Sequence, residues 1–110
     1  MNIIDYKTAG GKNLIMEYFR DLQTKERAEA YKIRQHIRKD GMDALETLNT
    51  RQLKSKLWEI KFFSQRIMYV LYDKENIYFL HVCKKQKGKA EKFELDKAIK
   101  RAKDAGLKVD

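Results

Sequence analysis

Glu59 and Lys61 stand two residues apart in the segment Leu57-Trp58-Glu59-Ile60-Lys61-Phe62, where apolar and charged residues alternate. A strand with that alternation turns both charged side chains to one face. Glu59 could serve there as a general base if its pKa is raised, and Lys61 could hold a phosphate. Two other readings stay open: Glu59 pairing with Arg66 to orient it, or a solvent-facing Glu/Lys pair. Arg66 opens the next apolar segment, and a guanidinium holds phosphate oxygens in a fixed fork. Its plain alternative is an exposed arginine at a strand end. Lys84, Lys85 and Lys87 cluster where the last strand runs out. They could contact phosphates, and one with a lowered pKa could act as an acid. A solvated basic loop is expected of at least one of them.

The remaining reactive residue types point away from chemistry. His81 is the obvious acid–base group by type. It lies in an apolar strand, alternating with Phe79 and Cys83, which favours a satisfied, structural histidine. His36 sits on a charged helix and reads as surface. Trp58 and Cys83 read as core. One cysteine excludes an intramolecular disulfide framework. Two histidines far apart leave no metal cluster legible in the sequence. No cofactor is expected.

These residues need elements to position them. Asn2 to Lys7 suits a short strand, broken at Gly10-Gly11. Asn13 can cap a helix to about Leu22, with Leu14, Ile15, Tyr18, Phe19 and Leu22 as its buried stripe. A second helix is expected from Thr24, as N-cap, to about Asp40, stopping at Gly41. Ala30, Ile33 and Ile37 make its thin seam. Its many cations, Arg34 and Arg38 among them, could contact RNA or simply face water. Asp43 to Leu48 suits one further turn, and Asn49 to Lys56 a loop. Strands are expected over 57–62, 66–73 and 77–84, with Asp73-Lys74-Glu75-Asn76 as a hairpin turn. A last helix from about Lys89 to Ala105 would bury Leu95, Ala98, Ile99 and Ala102. The order β-α-α-β-β-β-α predicts an α+β domain: an antiparallel twisted sheet, helices on one face, and the other face left for function.

Composition bounds the partners. The 110 residues make one domain, 1–110, with no proline, repeat or low-complexity stretch. No apolar run approaches a membrane span, and the N-terminus lacks the charged start and apolar stretch of a signal peptide. A soluble, cytoplasmic protein is expected. Lys and Arg total 25 against 16 Asp and Glu, for a net charge of +9. That balance favours a polyanion, nucleic acid first, although a domain can be basic without binding one.

Five local sequences, in order, resemble the RelE/HigB superfamily of toxins, in particular its phage-derived HigB-like branch. They are Leu57-Trp58-Glu59-Ile60-Lys61, Arg66 to Tyr72, Leu80-His81-Val82-Cys83, Lys84-Lys85-Gln86-Lys87 and Glu94-Leu95-Asp96-Lys97-Ala98. The likeness extends more weakly to the N-terminal strand and helices. It implies a small RelE-like fold and a metal-independent endoribonuclease that cuts messenger RNA, often on the ribosome. It also implies a HigA-like antitoxin with a helix-turn-helix domain. Arg66 sits where the superfamily places a functional arginine, and Lys85 best matches its cationic position. Many relatives carry a Tyr or His near the C-terminus that assists proton transfer or stacks on a base. Here that region offers Phe93, which can stack and cannot transfer a proton. Two other classes remain on the sequence alone: a non-catalytic nucleic-acid-binding module, and a protein that inhibits host machinery by binding.

Overall fold

A computed structural model describes residues 1–110. The chain runs β1 (Asn2–Asp5), α1 (Leu14–Arg20), α2 (Thr24–Asp40), α3 (Met42–Thr47) and β2 (Thr50–Lys54). It continues through β3 (Leu57–Phe62), β4 (Gln65–Leu71), β5 (Asn76–Lys84) and α4 (Lys89–Asp104). Local chemistry sets several boundaries. The Asn13 side chain accepts a hydrogen bond from the Met16 N–H at 2.9 Å and caps α1 as expected. Thr24 is instead the first residue of α2, because Gln23 holds the cap position without a side-chain bond. Gly41 closes α2 and opens α3 at φ 58°, ψ −127°, a conformation essentially reserved for glycine. Asp73 accepts from the Glu75 N–H and the Asn76 amide, building the turn between β4 and β5.

The five strands form one sheet in the order β1-β5-β4-β3-β2. The α+β class and the small RelE-like architecture stand, with three differences in detail. The sheet is mixed, because β1 pairs parallel with β5. A parallel neighbour requires a crossover connection, and here the helices between β1 and β5 belong to it. The expected loop before β3 contains the edge strand β2. Its residues Thr50, Arg51, Gln52 and Lys54 are too polar to show a strand pattern. Backbone pairing with β3 creates it, and its charges suit an edge that must not recruit another strand.

Strand alternation divides the core in two. Ile67 and Tyr69 of β4 face one side, with Ile60 and Phe62 of β3, against Phe19, Ile33 and Ile37 from α1 and α2. Met68 and Val70 face the other, with Leu57 and Leu80, against Ala98 and Ala102 of α4. Helices therefore cover both faces: α1 to α3 one, α4 the other. The expectation of a bare second face is corrected, since the apolar stripe of α4 needs cover and the sheet supplies it. Leu107 and Val109 complete this second cluster.

Arg34 is also corrected. It was a candidate RNA contact, yet its side chain is 6% exposed. Its guanidinium donates to both oxygens of Asp5, at 2.7 and 2.9 Å. It lies over the Phe79 ring. The Asn13 amide also donates to Asp5. Arg34 thus ties α2 to β1 inside the fold and has no guanidinium free for RNA.

Candidate functional site

The site grows from cross-strand register. Lys61 of β3 stands opposite Arg66 of β4. Arg51 of β2 stands opposite Glu59 of β3, and Cys83 of β5 opposite Arg66. Opposed residues share a face of the sheet. Arg51, Glu59, Lys61 and Arg66 therefore lie on the side that α4 crosses, and the structure brings the three sequence candidates Glu59, Lys61 and Arg66 together.

Three cations surround the Glu59 carboxylate. Arg66 Nη1 lies 3.3 Å and Arg51 Nη2 3.4 Å from Oε1, and Lys61 Nζ lies 3.9 Å from Oε2. The Glu59 side chain is wholly buried and that of Arg66 is 5% exposed. Of the two roles left open by sequence, this burial favours orienting Arg66. A carboxylate shut from solvent between guanidinia holds them in place and touches no substrate in this form. Glu59 Oε2 and Arg66 Nε–H are buried without a hydrogen-bond partner, so the pair keeps unused bonding capacity.

A fifth charge comes from α4. Gly88, at φ 62°, turns the chain into the helix, and Glu91 in the first turn reaches back to the sheet. Its Oε1 accepts from Arg66 Nη1 at 3.2 Å and from Arg51 Nη2 at 3.4 Å. The hydrogen bond from Arg66 is the largest influence holding the Glu91 carboxyl below its ordinary range. Beside this cluster runs a cleft of about 430 Å³, lined by Arg51, Gln52, Met68, Glu91 and Lys92 among others.

Lys84, the last residue of β5, and Lys85 and Lys87, in the connection from β5 to α4, are exposed and make no ion pair. The Lys85 N–H donates to the Ser64 carbonyl at 2.8 Å, which tethers this basic loop to the turn between β3 and β4. Phe63 in that turn is 66% exposed and holds a left-handed φ of 51°. Phe93 on α4 is 62% exposed, with Lys97 Nζ over its ring. Arg38 is exposed on α2, which packs on the opposite face of the sheet. It lies apart from the Arg66 cluster.

His81 belongs to a second constellation. Arg101 Nη1 lies 3.1 Å from His81 Nδ1, and a guanidinium only donates, so Nδ1 accepts. Nε2 then carries the proton and donates to Glu94 Oε2. Burial is the main cause lowering the His81 pKa from 6.5. The Cys83 thiol nearby is pushed up to about 12, chiefly by burial. His81, Cys83 and Glu94 each offer a ligand atom, all within 4.8 Å of one another, which the sequence did not reveal. Two features oppose a cation there: Nδ1 is engaged by Arg101, and the charge of Lys97 also bears on the ring. A hydrogen-bonded lock between α4 and β5 fits the geometry better. The constellation borders a cleft of about 490 Å³ that Tyr18, Lys84 and Lys97 also line.

Sequence reasoning missed Arg51 and Glu91. Arg51 depends on an unreadable edge strand. Glu91 offered one signal, an acidic residue in a first helical turn, which the helix dipole explains without a site.

No helix of the chain is long and apolar enough to cross a membrane. Residues 17–103 match the family model described as phage derived protein Gp49-like (DUF891). No curated protein matches the chain.

Proposed function

The chain belongs to the phage-derived Gp49-like family, a family of RelE/toxin-like proteins, and from that premise we propose that it is a HigB-like toxin of a type II toxin–antitoxin pair. In this reading it is a metal-independent endoribonuclease that cuts messenger RNA on the ribosome, in the cytoplasm. A HigA-like helix-turn-helix antitoxin neutralises it, by covering the cationic surface or by blocking entry to the ribosome.

The observation that carries the reading is the meeting of Arg51, Lys61 and Arg66 within 4 Å of one carboxylate, beside a cleft. RNA supplies its own nucleophile. The 2′-hydroxyl gives up its proton to water as its oxygen attacks phosphorus, the P–O5′ bond breaks, and the departing 5′-oxygen takes a proton. The products are a 2′,3′-cyclic phosphate and a 5′-hydroxyl. Because nucleophile and phosphorus are already joined, positioning and charge stabilisation carry much of the barrier. Arg66 and Lys61 hold the phosphate and stabilise the phosphorane. Glu59 fixes Arg66. Lys85 in the basic loop is the candidate acid for the 5′-oxygen, and Lys84 and Lys87 contact flanking phosphates. Phe63 and Phe93 offer exposed ring faces on which a nucleobase can stack.

The test is cleavage of messenger RNA on purified ribosomes, with mapping of the new 5′ ends. The native chain gives discrete ends. Arg66→Ala loses about 10²-fold or more of the rate, comparable with the loss of an oxyanion donor. A protein that only binds RNA or host machinery gives no new ends with either chain, and that result overturns the proposal.

A further inference from the structure

Glu91 Oε1 stands where two guanidinia converge, 3.2 Å from Arg66 Nη1 and 3.4 Å from Arg51 Nη2. Arginines that converge on one anionic oxygen make the arrangement that also receives a phosphate oxygen. We propose that Glu91 is a built-in occupant of the phosphate site, and that RNA binds by displacing its carboxylate from between Arg51 and Arg66. This rests on the ribonuclease reading for the identity of the ligand, and on geometry alone for the site.

Three features support the exchange. First, it preserves charge. Arg51, Lys61 and Arg66 face Glu59 and Glu91, and a phosphodiester carries the same single negative charge as the carboxylate it replaces. Second, the two carboxylates of the cluster are unequally held. Glu59 is wholly buried, whereas the Glu91 side chain is 40% exposed. Glu91 can rotate to solvent without unfolding α4, while Glu59 stays to keep Arg66 in place. Third, Arg66 has donors to spare. Its buried Nε–H has no partner, and a guanidinium presents five N–H groups in a fork suited to phosphate. Arg51, 46% exposed on the edge strand, then becomes a second phosphate ligand. The first turn of α4 sets the affinity of the site, because each binding event must first break the contacts of Glu91.

The experiment measures binding of a fluorescent hexadeoxynucleotide at low salt. That probe lacks the attacking 2′-hydroxyl and stays intact. Glu91→Gln is expected to bind about threefold to fivefold tighter than the native chain, the worth of one exposed ion pair removed from competition. Glu91→Asp keeps the charge but withdraws the oxygen from both arginines, and is expected to give part of the gain. Glu75→Gln, in the exposed turn between β4 and β5, controls for net charge and is expected to change affinity less than twofold. Adding Arg51→Ala to Glu91→Gln is expected to abolish the gain.

The proposal is overturned if Glu91→Gln binds no tighter than the native chain, or no tighter than Glu75→Gln. It is overturned as well if Glu91→Gln leaves affinity unchanged and loses RNA turnover, the signature of a general base. Tighter binding with no RNA cleavage by any chain supports the displaceable occupant and sinks the ribonuclease reading instead. The two can therefore fail separately.

Discussion

The Arg66 guanidinium lies 3.3 Å from Glu59 Oε1, with both side chains almost closed to solvent. Glu59→Gln leaves the buried Arg66 with the partly exposed Glu91 as its only carboxylate partner. The variant is therefore expected to lose about 1.5–3 kcal/mol of stability in chemical denaturation, the worth of a buried hydrogen bond to a charged group. It also separates positioning from acid–base catalysis. If Glu59 orients Arg66, the variant loses rate at every pH and keeps the shape of its pH–rate profile. Loss of the acidic limb of that profile would instead make Glu59 the base.

Arg34 and Asp5 form the other buried pair, which joins α2 to β1. Arg34→Ala is expected to cost about 3–5 kcal/mol, because it leaves Asp5 unpaired inside the fold. The Arg66 cluster lies on the opposite face of the sheet. At a temperature where the variant is folded, RNA affinity and cleavage should match the native chain. A stable Arg34→Ala protein with weakened RNA binding would restore Arg34 as an RNA contact.

Burial lowers the His81 pKa from 6.5 and outweighs the opposing hydrogen bond that His81 donates to Glu94. The unfolded chain then binds a proton at a higher pH than the folded one does. Stability from this source is fully present above about pH 6.5 and falls as the pH drops below it. Glu94, Arg101, Lys97 and Cys83 face the ring. Denaturant titrations at a series of pH values should show this loss, and His81→Gln should flatten it in that window. Unchanged pH dependence in His81→Gln would assign the loss to other groups.

The Cys83 thiol, pushed up to about 12 chiefly by burial, is protonated at neutral pH, and the thiolate is the reactive form. A disulfide reagent applied at about pH 8 is expected to leave the folded protein unmodified and to label one thiol per chain once it is denatured. Rapid labelling of the folded protein would mean that β5 and α4 part readily at this point.

Sequence alone determined the positive charge, the capped α1, the stop at Gly41 and the alternation that puts Glu59 and Lys61 on one face of β3. These features are local: side-chain period, capping chemistry and glycine conformation act within a few residues. The tertiary structure decided which face is covered, because alternation separates two faces without saying what packs on either. It placed α4 on the second face and turned an apparently solvent-facing Glu59 into a buried one. It also consumed Arg34 on Asp5, made a strand of Thr50–Lys54, and joined Glu91 to Arg51 and Arg66. Each of these depends on strand order and register across long stretches of chain. There, a partner's position rather than the residue's own type fixes whether a charge is spent inside the fold or left for a ligand.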